Sequence, residues 1–246
     1  MLSSPTFIAV AIALSFVLSY IAFRQQMLTA SGSASAFAVS AAIGVFGSIS
    51  WLLIILVFVI AAFLTTRFRI LEKMKYNLQE GRGGERGTLN VVANSLPAVL
   101  IALASTFLYG RMSQADFSII YVTAVAAATS DTLASEIGVI DRNAVLITNF
   151  RRVAPGTDGG ISLLGTAAAL AGAAFISIVG YVLIELFRQR LPLLGVGIAI
   201  TAGFLGSIVD SILGAVLERR RIIGKQTNNI ASITAACLIA LVLVFH

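Results

Sequence analysis

Eight long runs of apolar residues, at 5–23, 33–49, 51–66, 90–109, 117–130, 161–187, 193–217 and 228–245, are separated only by charged or Gly/Pro-rich breaks. The hydrocarbon core of a bilayer is about 30 Å thick and a helix rises about 1.5 Å per residue, so a span needs roughly 20 mostly apolar residues. With 58% apolar and 11% charged residues the chain falls far from soluble proteins, which carry about 25% charge. These are continuous runs rather than alternating ten-residue strands, which rules out a membrane β-barrel. The expected fold is therefore all-α: a polytopic bundle of seven or eight transmembrane spans, with residues 1–246 forming one transmembrane domain. The pair 33–49 and 51–66 is ambiguous, because Gly44, Gly47, Ser48 and Ser50 mark either a surface hairpin or a break inside one long element; eight spans are expected. The run 117–130 is short and continues past Asp131. The first run lacks a basic start and exceeds a signal-peptide core in length, and Pro5 suits the first turn of a retained helix.

Charge sets the expected orientation. The loops 24–32, 67–89, 139–160 and 218–227 carry Arg24, Arg67, Arg69, Lys73, Lys75, Arg82, Arg86, Arg142, Arg151, Arg152, Arg219, Arg220, Arg221 and Lys225, leaving Arg111, Arg188 and Arg190 for the other side. The positive-inside rule then makes the basic loop 67–89 and the Gly-rich loop 139–160 cytoplasmic and both termini external. The net charge of +6 is read either as attraction to anionic headgroups of the surrounding membrane lipids or as a seat for an anionic ligand such as a nucleotide or lipid phosphate. Nucleic acid is not an expected partner, because no basic helix interleaved with aromatics occurs. A lone Cys237 and a lone His246 exclude a disulfide framework, a Cys/His zinc site and a histidine-dependent triad.

Three polar constellations stand where apolar residues are expected. In Ala126–Gly138 an apolar helix runs into Asp131, Thr132, Ser135 and Glu136. A carboxylate at membrane depth costs several kcal/mol unless paired, protonated or metal-bound, which makes each acid a functional candidate. Asp131 and Ser135 share one helical face, but Asp131 and Glu136 point about 140° apart, so one ion meets both only if the helix breaks. The plainer reading makes Asp131 the N-cap of a new short helix that Gly138 ends.

The second constellation, Val153–Gly165, follows Arg151 and Arg152. Gly156, Gly159 and Gly160 around Thr157 and Asp158 permit backbone amides to converge before a helix start, a recipe for a phosphate cradle or for a plain re-entry turn. It is neither a Walker loop nor a dinucleotide turn. The third, Gly203–Glu218, spaces Gly206, Asp210 and Gly214 four residues apart beside a stripe of Ser207, Ser211 and Ala215. Close helix packing accounts for the glycines but not for Asp210, which calls for an arginine or a metal shared with the Asp131 region. Asn94, Asn228 and Asn229 open spans and serve either as caps or as ligand contacts.

The segments Ser130–Gly138, Pro155–Gly160 and Gly206–Ala215, in this order and with the basic loop near Arg82 ahead of Asn94, resemble the TMEM19 family, also called the DUF92 family of integral membrane proteins. That family includes the plant phytyl-phosphate kinase of tocopherol synthesis. Leu133 departs from a usual tryptophan, and Glu218 from a frequent glutamine. The resemblance implies a CTP-dependent kinase that converts a prenyl monophosphate, an isoprenoid lipid phosphate, to its diphosphate. It implies Asp131 and Asp210 as Mg²⁺ ligands on the nucleoside triphosphate, and Glu136 as a further ligand or a base. Arg151, Arg152, the amides of residues 156–160, Lys225 and Arg82 would hold phosphates, with Ser135, Ser211, Asn94 and Asn229 completing the polar set. Phosphoryl transfer fits these residue types, since it needs positioning and charge neutralisation more than covalent chemistry. A homo-oligomer is compatible with the sequence. The alternative is an ion-coupled transporter that uses intramembrane carboxylates. A CDP-alcohol phosphotransferase is disfavoured, because Asp158-Gly159 is not followed by that class's Ala-Arg pair.

Overall fold

The computed structural model describes residues 5–76, 78–79, 83–108 and 110–245. Among these the long helices are α1 (Pro5–Arg24), α2 (Ala30–Phe46), α3 (Ile49–Arg67), α5 (Thr88–Phe107), α6 (Gln114–Gly138), α7 (Leu163–Leu186), α8 (Leu193–Leu213) and α9 (Lys225–Phe245). A six-residue helix α4 (Ile70–Lys75) follows α3, and α8 ends in a π-helical turn, Gly214–Glu218. The segment between α6 and α7 holds a minimal antiparallel hairpin, β1 (Val145–Leu146) with β2 (Gly160–Ile161), pairing Val145 with Ile161. The fold is the expected all-α polytopic bundle.

Seven of the helices are long and apolar enough to cross a membrane; α2, at 17 residues, falls short of that length. The 33–66 segment is two helices joined by a hairpin at Gly47 and Ser48, where the Ser48 side chain caps α3 by accepting from the Trp51 amide at 3.2 Å. α2 nevertheless runs from one end of the bundle to the other. Its N-terminal cap residue Thr29 donates its amide to the Arg86 carbonyl just before α5, and its last residue, Phe46, accepts a hydrogen bond from Thr106 Oγ1 in the last turn of α5.

The bundle is organised around α6. Its membrane window is 83% buried inside the protein, against 22% for α1, and its mean hydropathy of 1.4 is the lowest among the spanning helices. A helix screened from lipid by its neighbours does not need an apolar surface all round. Ala124, Ala126, Ala127 and Ala128 let α3, α5, α7, α8 and α9 approach closely. Three of its buried hydroxyls find carbonyls: Thr123 and Thr129 donate to those of Ile119 and Val125, and Ser130 donates across to the Ala169 carbonyl of α7.

The four basic loops meet at one end. Arg86 pairs with Leu28, Arg142 reaches Tyr76, and Gly156 of the 139–160 loop lies against Leu78. The opposite end is tied by Ser50, which donates to Gln189 Oε1 at 2.6 Å, and by Trp51, stacked on Tyr121 at 4.3 Å with the Tyr121 hydroxyl donating to the Trp51 carbonyl. Arg82 lies outside the described residues.

Candidate functional site

At the basic end, α6, α7, α8, the start of α9 and the α6–α7 segment enclose a cleft of about 450 Å³. It brings together all three sequence constellations: Asp131, Ser135 and Glu136 from α6, residues Gly156 to Gly160 from the loop, Asp210 and Ser211 from α8, Glu218 from the π turn, and Lys225 and Asn229 from α9. Among the described residues five carboxylates line it alongside the cation Lys225.

Small residues create the central contact. A methyl group added at Gly203 would lie 2.8 Å from Ala126 Cβ, and one at Gly206 would lie 3.0 Å from Ala127 Cβ, so α8 packs on α6 nearly backbone to backbone. That approach brings the carboxyls of Asp131 and Asp210 within hydrogen-bonding reach of each other. Ser232 of α9 donates to Asp210 Oδ1 at 3.2 Å, and Glu218 adds a further negative charge nearby. α6 continues unbroken through Asp131 to Gly138, so Asp131 is not the cap of a new helix. Two carboxyls this close share a proton, or both ionise only around a cation. Among the described residues no third His, Cys, Asp or Glu completes a protein-only metal cage. This donor set fits a small divalent cation that takes one or two carboxylates and draws its other ligands from water and phosphate oxygens, the usual manner of Mg²⁺.

Glu136 has other partners, which corrects its expected role as a ligand of the same metal. It touches the cleft wall, but its carboxylate faces away from the aspartates, as the unbroken helix requires. Lys73 Nζ donates to Glu136 Oε2 at 2.6 Å, Thr66 donates to Oε1 at 2.7 Å, and Arg86 lies 3.6 Å from Oε1. Lys73 is 1% exposed and Glu136 6%. Lys73 also donates to the carbonyls of Thr65 and Thr66, so this ion pair locks α4 and the end of α3 onto α6.

The Gly-rich loop is docked by its glycines. Gly159 adopts φ +73°, and a methyl group there would collide with Ala215, while one at Gly214 would come within 2.9 Å of the Gly159 nitrogen. No residue with a side chain allows this approach, which sets Asp158 beside Glu218 at the cleft mouth. The converging amide array expected here is reduced: the Thr157 and Gly160 amides donate to the carbonyls of Ala154 and Thr157, closing the loop's own turns. Thr157 Oγ1 also bonds the Ala154 carbonyl, while Ser135 and Ser211 donate to the Thr132 and Ser207 carbonyls. Arg151 and Arg152 are exposed and lie outside the cleft lining, because their backbones register the hairpin against Leu146 and Val145.

The asparagines are not caps, since α5 and α9 begin at Thr88 and Lys225. Asn229 donates to Asn94 Oδ1, Asn94 to Asn90, and Arg86 to both Asn90 and Thr66, a polar chain running from the cleft to the Glu136 cluster. Sequence reasoning missed Lys73, Arg86, Thr66, Ser232 and Glu218 as site-shaping residues. Asn228, expected there as a cap or a ligand contact, donates to the Asp210 carbonyl and to Glu218 Oε2, both at 3.1 Å, bracing the π turn. A signal was present for Lys73 alone, as a lysine among Leu71, Met74 and Tyr76.

The model of the family "Integral membrane protein DUF92" matches residues 13–238. An uncharacterized membrane protein of Methanocaldococcus jannaschii is 33% identical over 196 residues, 78% of this chain and 76% of its own length. Protein PGR of Arabidopsis thaliana is 27% identical over 258 residues, covering 94% of this chain and 89% of that protein. The chloroplastic protein VTE6 of the same plant is 27% identical over 222 residues, covering 88% and 65%. No solved structure matches the chain. With a family match that takes in every residue of the cleft described above, the chain belongs to the DUF92 family of integral membrane proteins.

Proposed function

We propose that the protein is a CTP-dependent, Mg²⁺-requiring kinase that phosphorylates an isoprenoid lipid monophosphate at the cytoplasmic face, with the basic loops and the cleft cytoplasmic and both termini external. The observation that carries this reading is the Asp131–Asp210 carboxyl pair at the head of an acid-lined cleft. The family resemblance to the plant phytyl-phosphate kinase supplies the acceptor class and the nucleotide. Mg²⁺, when bound, neutralises charge on the β- and γ-phosphates.

Asp131 and Asp210 would hold the metal from two different helices, so its position depends on the α6–α8 contact. Lys225, at the start of α9 near Glu218, balances phosphate charge. A phosphate oxygen of the acceptor attacks the γ-phosphorus, the bond to the β-bridging oxygen breaks, and CDP leaves with the electron pair. The acceptor is already an anion, so no general base is needed and a missing histidine is no obstacle. Glu136, neutralised by Lys73, holds α6 in place and takes no part in the proton balance.

A carrier would hold its carboxylates near mid-bilayer. Asp210 and Asp131 each stand about two turns from the loop end of their helices, on the loop side of the helix midpoint, which favours surface chemistry. The test is transfer of the labelled γ-phosphate of CTP to geranylgeranyl phosphate by the purified protein in detergent with Mg²⁺. Absence of transfer with every nucleoside triphosphate tried, alongside preserved folding, would remove the kinase reading.

A further inference from the structure

We infer that the isoprenoid chain of the acceptor is seated in a lateral crevice between α7 and α8, continuous with the cleft, so that Thr166, Ala169, Phe204 and Ile208 select the acceptor. This rests on the kinase reading above. The cleft is not polar throughout. On the bilayer side of Asp210 its α8 wall is Phe204, Ser207 and Ile208, and the facing α7 wall is Thr166 and Ala169, with Ala169 level with Ser130 beside Asp131. Asp210 and Phe204 are six residues apart on one helix, so the apolar floor lies about 9 Å nearer the bilayer centre than the carboxyl pair. The cavity thus runs from acidic at the loop end to apolar at depth, the polarity of a single-chain amphiphile with a phosphate head.

α7 and α8 flank the cleft and both pack on α6, and Gly165 lets α7 sink against Gly138 and Ala134 at the loop end. Thr166, in the first turn of α7, lines the cleft and is exposed, and Ile208 on α8 is half-buried, so this wall reaches the outside of the bundle. A membrane-dissolved chain enters sideways without leaving the hydrocarbon, while its phosphate reaches the aspartates. A second apolar cavity, of about 80 Å³, lies among α1, α2, α3 and α5. Its polar end is Arg86, Asn90 and Asn94, which are engaged in the buried network described above and do not open onto the acid pair.

Two measurements decide it. Geranylgeranyl phosphate carrying a diazirine on its second isoprene, photolysed with the wild-type protein in nanodiscs, is expected to label peptides containing Thr166–Ala169 and Phe204–Ile208, with unlabelled geranylgeranyl phosphate competing. Labelling confined to α1, α2, α3 and α5, or labelling that is not competed, overturns the assignment. Separately, Thr166→Phe and Ile208→Phe narrow the crevice from opposite walls. Each is expected to lower the ratio of kcat/KM for geranylgeranyl phosphate over dimethylallyl phosphate at least tenfold, while Leu238→Phe on the exposed face of α9 leaves that ratio unchanged. An unchanged ratio in both crevice variants also overturns it. If no acceptor is phosphorylated at all, the kinase reading fails, and the labelling pattern still decides where the chain lies.

Discussion

Asp131 and Glu136 stand five positions apart on one unbroken helix, and the protein treats them oppositely. Glu136 is buried against Lys73, Thr66 and Arg86, with both oxygens satisfied by groups from α3, α4 and the loop before α5. Asp131 faces Asp210, another acid, with Glu218 close by. A buried charge matched by protein cations is a structural device, and breaking it leaves an uncompensated ion. Like charges held together by packing have no structural benefit, and the arrangement makes sense when a cation and a polyanion complete it. The difference separates scaffold from chemistry on a single helix.

The largest expected effect is on the aspartate pair. Asp131→Asn and Asp210→Asn should each reduce phosphoryl transfer by about a thousandfold, in the range seen when one preorganised electrostatic group is removed. Thermal stabilisation by Mg-CTP should vanish with it, while the ligand-free melting temperature of Asp210→Asn holds or rises because a like-charge contact is relieved. A fall in ligand-free stability would make the pair structural. Lys73→Met should do the reverse, costing about 3 kcal/mol by stranding Glu136. Thermal unfolding in detergent reads this, and Glu136→Leu in the same chain should restore much of it.

Gly159→Ala imposes a left-handed conformation and a clash with Ala215. It should lower activity about tenfold by lifting Asp158 and the loop off α8, the backbone strain being about 1–3 kcal/mol. Transfer assays and protease sensitivity of the 139–160 loop check it. Asn228→Ala removes two hydrogen bonds from the π turn and should cost about 1 kcal/mol, measured as a lowered melting temperature. The smallest effect is expected for Arg151→Ala with Arg152→Ala: both side chains are exposed outside the cleft, so the KM for CTP should move by about twofold or less, as exposed charges contribute little. A larger change would place the bound nucleotide over the hairpin.

Much of this architecture was legible in the residues. Apart from the end of α6, which runs on to Gly138, the apolar runs located the helices to within a few positions, because membrane insertion demands length and hydropathy that nothing else in a sequence imitates. Asp131 and Asp210 stood out for the same reason. The 33–66 segment was not legible: Gly44, Gly47, Ser48 and Ser50 serve a hairpin or a kink equally well, and only the packing of both α2 ends against α5 decides between them. Arg151 and Arg152 looked like phosphate ligands because sequence adjacency to a glycine loop says nothing about which way a hairpin turns its side chains.

Lys73 and Arg86 counted only towards orientation, since a basic loop residue reads the same whether it ends in solvent or against a buried glutamate. The sequence by itself determined the class of molecule, the order of its long helices outside the 33–66 segment, and the few acids too expensive to be there without a reason, because these follow from local hydropathy and desolvation. Only the tertiary structure decided which acids meet each other and which meet a lysine. That pairing depends on the rotation and close approach of helices far apart in the chain, set by small residues such as Gly203, Gly206 and Gly159, whose contacts no local pattern records.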